Sequence, residues 1–122
     1  MVTNATAERS IALVLDCADP EGLARFWAPA LEGELVGGAG NYFLVKGPGG
    51  QALLLQRVPE PKSGKNRMHL DVHVADIEGE AARLQGLGAT RLGDEVQSEF
   101  GSDWIVMADP EGNEFCVCSG DL

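Results

Sequence analysis

Positive charge is scarce in this sequence: 9 Lys and Arg stand against 19 Asp and Glu, for a formal charge of −10. A surface of that sign repels phosphate backbones and anionic bilayers, which argues against nucleic acid and membrane as partners. The one basic cluster, Lys62, Lys65 and Arg67, is interrupted by Ser63, Gly64 and Asn66 and lacks interleaved aromatics for base stacking. It reads as a solvated linker, with a local anion contact as the alternative. Long apolar runs are missing too, and stretches such as Leu53 to Leu55 are far too short to cross a bilayer. Met1 to Arg9 carries Glu8 and Arg9 and lacks the charged head and apolar core of a secretory signal, so cytoplasmic residence is expected. Cysteine is limited to 3 residues, an odd number that builds no disulfide framework. Cys116 and Cys118 fall on one face of a strand, where a bridge between them is geometrically poor, and reduced thiols are expected. Gly-rich phosphate loops, zinc-finger spacing and nucleophile elbows are all absent.

What is present is the composition of a packed globular chain, with 44% hydrophobic residues in 122. That length fits one domain able to bury about two-thirds of the surface its unfolded form exposes. Ile11 to Leu15 is a short β-compatible run, and Asp19-Pro20 then supplies an N-cap and a first helical residue. Leu23, Phe26, Trp27, Ala30 and Leu31 form the apolar stripe of the helix, with Pro29 ending or distorting its last turn. Strands are expected at Glu34 to Gly37, Tyr42 to Lys46 and Gln51 to Gln56, separated by the turn material 37–40 and 47–50. Residues 58–66 hold Pro59, Pro61 and Gly64 and read as a connector.

The pattern then repeats. Met68 to Val74 is strand-like, Asp76 is an N-cap, and Ile77, Ala81, Leu84 and Leu87 form a second helical stripe that Gly88 stops. Thr90 to Leu92, Trp104 to Met107 and Glu114 to Cys118 follow as strands, the first two separated by a long loop around 93–103. Asp19 corresponds to Asp76, Trp27 to Leu84 and Leu35 to Leu92 at a separation of 57 positions; Gly50 corresponds to Gly112 at 62. One insertion of five residues accounts for the difference. The reading is an α+β fold of two tandem βαβββ modules, eight strands in all, with module one at 10–57, module two at 67–118 and a single domain over 10–120. A ferredoxin-like βαββαβ chain, the structural rival, leaves two strands unassigned.

Strand alternation assigns faces. Leu70, Val72 and Val74 point to the helix, and His69, Asp71 and His73 to the other side, so both histidines of the chain share a face. Glu114, Cys116 and Cys118 join them from the last strand. The matching face of module one carries Ala12, Val14, Asp16, Ala52, Leu54 and Gln56 and is largely apolar.

Three stretches carry a family resemblance: Leu23-Ala24-Arg25-Phe26-Trp27 after Asp19, His69-Leu70-Asp71-Val72-His73-Val74-Ala75-Asp76, and Asp109-Pro110-Glu111-Gly112-Asn113-Glu114-Phe115. With them, Ser10 to Cys118 resembles the vicinal-oxygen-chelate superfamily of glyoxalases, bleomycin-resistance proteins and extradiol dioxygenases, and in particular its glyoxalase-like subgroup. The resemblance implies that superfamily's fold and a homodimer. Its usual metal ligands, carried over by position, fall on Ala12, Leu54, His69 and Cys116, with Gln56 two residues beyond the expected place. Only His69 keeps the usual ligand type, and catalytic zinc ordinarily takes three protein ligands. The metal site is therefore expected to be absent or altered. No cofactor is expected, and a divalent metal stays open as an alternative on His69, His73, Glu114 and Cys116.

Two functional classes follow. One is a glyoxalase-like protein that binds a small organic molecule with an apolar body and a polar or cationic end. The other is a lyase, isomerase or oxygenase of the same superfamily. In the second, His69 and Glu114 are the candidate catalytic residues, since a His near its ordinary pKa of about 6.5 serves as a base near neutrality and a carboxylate partner fixes its tautomer; in the first they line the pocket. Asp71, His73, Gln56, Trp104 and Cys116 are candidate substrate contacts. Asp109 to Asn113 reads as a turn device.

Overall fold

The computed structural model describes residues 9–120. Of the segment read for a secretory signal, residues 1–8 lie outside the described residues. Module one runs β1 (Leu13–Cys17), α1 (Pro20–Ala30), β2 (Glu34–Ala39), β3 (Tyr42–Lys46) and β4 (Ala52–Arg57). Its sheet has the order β1-β4-β3-β2, with β1 parallel to β4. Module two runs β5 (Leu70–His73), α2 (Ile77–Leu87), β6 (Thr90–Arg91), β7 (Gln97–Glu99), β8 (Ser102–Ala108) and β9 (Glu114–Cys118). The second sheet repeats the plan as β5-β9-β8-β6, with β5 parallel to β9, so β1 and β5 are equivalent edge strands. The chain has two tandem βαβββ-like modules in an α+β fold.

The helices start where their caps dictate. Asp19 Oδ1 accepts the Gly22 amide at 3.1 Å, and Asp76 Oδ1 accepts the Gly79 amide at 3.0 Å. A Cβ on either glycine would collide with the capping carboxylate, so the repeat preserves the cap and its clearance together.

Both ends of α1 are held by module two. Glu111 accepts the Ala18 and Asp19 amides at 2.7 and 2.9 Å at the N-terminal end, and Arg83 donates to the Pro29 and Ala30 carbonyls at 3.0 and 2.7 Å at the other. Anion at the start and cation at the end is the arrangement the helix dipole favours. Between these clamps Trp27 packs edge-on against Phe115 with ring centroids 5.0 Å apart, in a core shared with Leu23, Leu55, Leu84, Ile105 and Met107.

Four expectations need correction. There are nine strands among the described residues, not eight, because part of the 93–103 loop pairs as β7 with β8 across the turn Phe100–Gly101. Gln97–Glu99 is polar and wholly exposed, so no hydrophobic alternation announces it. β2 continues through Gly37, Gly38 and Ala39, read above as turn; a bulge after Leu35 keeps it paired with β3. The first strand begins at Leu13 rather than Ile11, which is exposed. The fifth begins at Leu70, leaving His69 just outside the ladder.

Candidate functional site

Because β1 and β5 lack a partner on one side among the described residues, the two sheets leave a gap that the 58–69 segment partly walls. A cavity of about 840 Å³ lies there, lined by β1 from Leu13 to Cys17, by Lys62, Asn66 and His69 from the segment, and by Glu111, Asn113 and Glu114 before and at the start of β9. The stretch read as a solvated linker is thus a cavity wall. Its lysine is committed: Lys62 Nζ reaches Glu114 Oε2 at 3.3 Å and also donates to the Gly64 carbonyl.

Glu114 is the organising anion of this wall. Oε1 accepts the Asn66 amide at 3.0 Å while Oε2 meets Lys62. The Asn66 amide first, then its own amide and Lys62, hold the carboxyl down at about 2. A group so strongly ionised is a poor proton carrier near neutrality, and its geometry is that of a structural anchor. Asn66 Nδ2 adds a bond to Asn113 Oδ1 at 3.2 Å, tying the segment to the turn before β9.

That turn is the device the sequence suggests, with a buried carboxylate at its centre. Asp109 Oδ1 accepts the Glu111 and Asn113 amides at 2.9 Å each, and Asn113 Nδ2 reaches both oxygens of Asp109. The turn presents Glu111 to β1 and α1, and its carboxylate lines the cavity while accepting the two amides.

His69 lines the same cavity, and its Nε2 stands 3.2 Å from Asp71 Oδ1. Asp71 and His73 line a second cavity of about 380 Å³ instead, together with Leu13, Ala30 and Pro48. Gln56, Trp104 and Cys116 line neither. Gln56 registers between Asp16 and Tyr42 in the sheet of module one. Trp104 lies directly opposite Cys118, and Val106 opposite Cys116, on β8 and β9. Of the residues that strand alternation assigns to the shared faces, the large cavity gathers Ala12, Val14, Asp16, His69 and Glu114 and leaves the others out, Leu54 and Asp71 among them. Sequence reading missed Lys62, Asn66, Glu111 and Asn113 as site residues. The basic cluster and the Asp-Pro-Glu-Gly-Asn turn were the signals, but nothing in their spacing tells that they meet.

The three cysteines are free and buried. Burial and the Glu111 carboxylate push the Cys17 thiol up to about 11. Burial, then Asp71, push Cys118 to about 11 and raise Cys116 as well. None has the lowered pKa of a nucleophilic thiol.

The superfamily's metal site does not fit these residues. Ala12 and Leu54 offer no ligand atom, and Glu114 is spent on Lys62 and Asn66. The mixed set His69, His73, Glu114 and Cys116 also separates. Among the described residues, ligand atoms instead come within 4.8 Å of one another in two groups, His69–Asp71–Cys116 and Asp71–His73–Cys118.

No helix among the described residues is long and apolar enough to cross a membrane. None of the curated proteins compared with the chain matches it. Among solved structures, the fosfomycin resistance protein FosX from Listeria monocytogenes superposes with a TM-score of 0.77 at 12% identity, over 96% of this chain and 94% of that one. A glyoxalase/bleomycin resistance protein/dioxygenase family enzyme from Burkholderia phytofirmans PsJN gives 0.76 at 14% identity, over 88% and 95%. A glyoxalase-related enzyme from Fulvimarina pelagi gives 0.72 at 18%, over 93% and 88%. At these identities the likeness is one of fold, whereas the family model described as a glyoxalase-like domain matches residues 12–118, nearly the whole repeat. The chain belongs to the glyoxalase-like domain family, and through it to the vicinal-oxygen-chelate superfamily.

Proposed function

We propose that the protein binds a small organic molecule with an apolar body and a cationic end in the cavity of about 840 Å³, without the superfamily's usual metal. The observation that carries this reading is the cavity itself. Val14 and the partly buried Leu13 and Leu15 of β1 offer apolar surface of the kind that accepts a ligand's body. With Lys62 and Glu114 paired to each other, Asp16, Glu60 and Glu111 stand against Arg67 around it. The remaining field favours a cation.

A thermal-shift screen of aromatic amines beside the matching carboxylates tests the reading. The amines are expected to raise the melting temperature, and His69→Ala and Glu114→Ala to diminish those shifts, the second by releasing the 62–66 wall. Unchanged shifts for every hit in both variants would remove this cavity from consideration.

A second reading, proton transfer in a lyase or isomerase reaction, draws on one contact. His69 stands beside the cavity with its Nε2 3.2 Å from Asp71 Oδ1, an imidazole with a carboxylate at hand, the kind of pair that takes up and returns a proton. Turnover of a screened ligand, lost in His69→Ala while binding persists, distinguishes this from binding alone.

Homodimerisation belongs to the same proposal. The edges of β1 and β5 and the exposed Val14, Leu35, Val36 and Tyr42 give a second copy an apolar surface to cover.

A further inference from the structure

We propose that Asp71, His73 and Cys118 form a binding site for a divalent transition-metal ion of the zinc type. The site lies on module two and uses none of the positions Ala12, Leu54, His69 and Cys116 that the family resemblance points to, although Asp71 also borders His69 and Cys116.

The backbone builds it from the parallel pair β5 and β9. His73 and Cys118 are register partners, and Asp71 lies two residues earlier on β5, on the same face. A carboxylate oxygen, a ring nitrogen and Cys118 Sγ all come within 4.8 Å of one another. Ligands around tetrahedral zinc stand about 3.3–3.6 Å apart, given bonds of about 2.0–2.3 Å. Rotation of the exposed Asp71 side chain, with His73 kept on the Gly120 carbonyl, narrows the difference.

His73 is already prepared for this role. Its Nδ1 lies 2.8 Å from the Gly120 carbonyl, which can only accept, so Nδ1 carries the proton and Nε2 the free lone pair. A ring N–H donated to a backbone carbonyl is the usual outer support of a metal-bound histidine, fixing both tautomer and ring orientation. The charges also suit the ion: carboxylate and thiolate balance a double positive charge, with imidazole neutral and the Cys118 proton released on binding. Imidazole and sulfur together select zinc-like ions over magnesium or calcium. Three protein ligands leave a fourth position for water or an external donor.

Cobalt(II) titration of the full chain under reducing conditions, followed by the sulfur-to-cobalt absorption band and reversed with zinc, tests the assignment. One saturable band per chain is expected. It should vanish in Cys118→Ser, fall at least tenfold in apparent affinity in His73→Ala and Asp71→Ala, and persist in Cys116→Ser. The two exposed positions keep the test sound if Cys118→Ser fails to fold. No band in the wild type, a band indifferent to His73→Ala and Asp71→Ala, or a band lost in Cys116→Ser would overturn the proposal, the last by moving the ion to His69, Asp71 and Cys116.

Discussion

The indole Nε1 of Trp27 donates to Asp109 Oδ2 at 3.0 Å, joining α1 of the first module to the β8–β9 turn of the second inside the core. Asp109 is a buried carboxylate whose remaining capacity is filled by Glu111 and Asn113. Trp27→Phe removes one donor to a buried charge and opens a void. The expected cost is roughly 2–4 kcal/mol, from the lost charged hydrogen bond and the cavity. Urea denaturation measures it, and a loss below about 0.5 kcal/mol would contradict the role given to this pair.

Glu114 gives the acid limb of stability its shape. Its carboxyl is held at about 2 against an ordinary 4.5, so the contribution is present above pH 4.5 and fades as pH falls toward 2. Glu114→Gln should therefore flatten the stability profile in that window relative to the wild type. Melting temperatures collected from pH 6 down to about 2.5 check this, and parallel profiles would contradict it.

The thiols govern the alkaline side. Cys17 and Cys118 are raised from 9.0 to about 11, so their contribution is intact below pH 9 and is lost as pH rises through 11. At neutral pH a maleimide-type or disulfide reagent should label the native chain slowly and all 3 cysteines promptly once the chain is unfolded. Rapid native labelling of Cys17 would count against its buried, carboxylate-flanked setting.

Association is read by sedimentation. A homodimer predicts a species near twice 12.9 kDa that shifts toward monomer on dilution or on placing a charge at Val14, as in Val14→Asp. A concentration-independent monomer would sink the proposed assembly.

Much of the architecture is legible in residue order because local physics sets it. Asp19 and Asp76 announce their helices through the same cap, and strand alternation places Asp71 and His73 on one face of β5, whereas His69, read on that face too, falls outside the ladder. β7 escaped because Gln97, Ser98 and Glu99 bury nothing, so its pairing with β8 leaves no pattern to read.

The sequence by itself determined the two helical stripes and the strand and turn pattern that repeats between the modules, since each element is written in residues within a few positions of one another. Only the tertiary structure decided that Lys62 and Asn66 close on Glu114, that Glu111 caps the start of α1, and that His69 and His73 face different cavities. The hydrogen bonds among them join residues from 48 to 93 positions apart, where geometry is set by how the chain packs and not by any local periodicity.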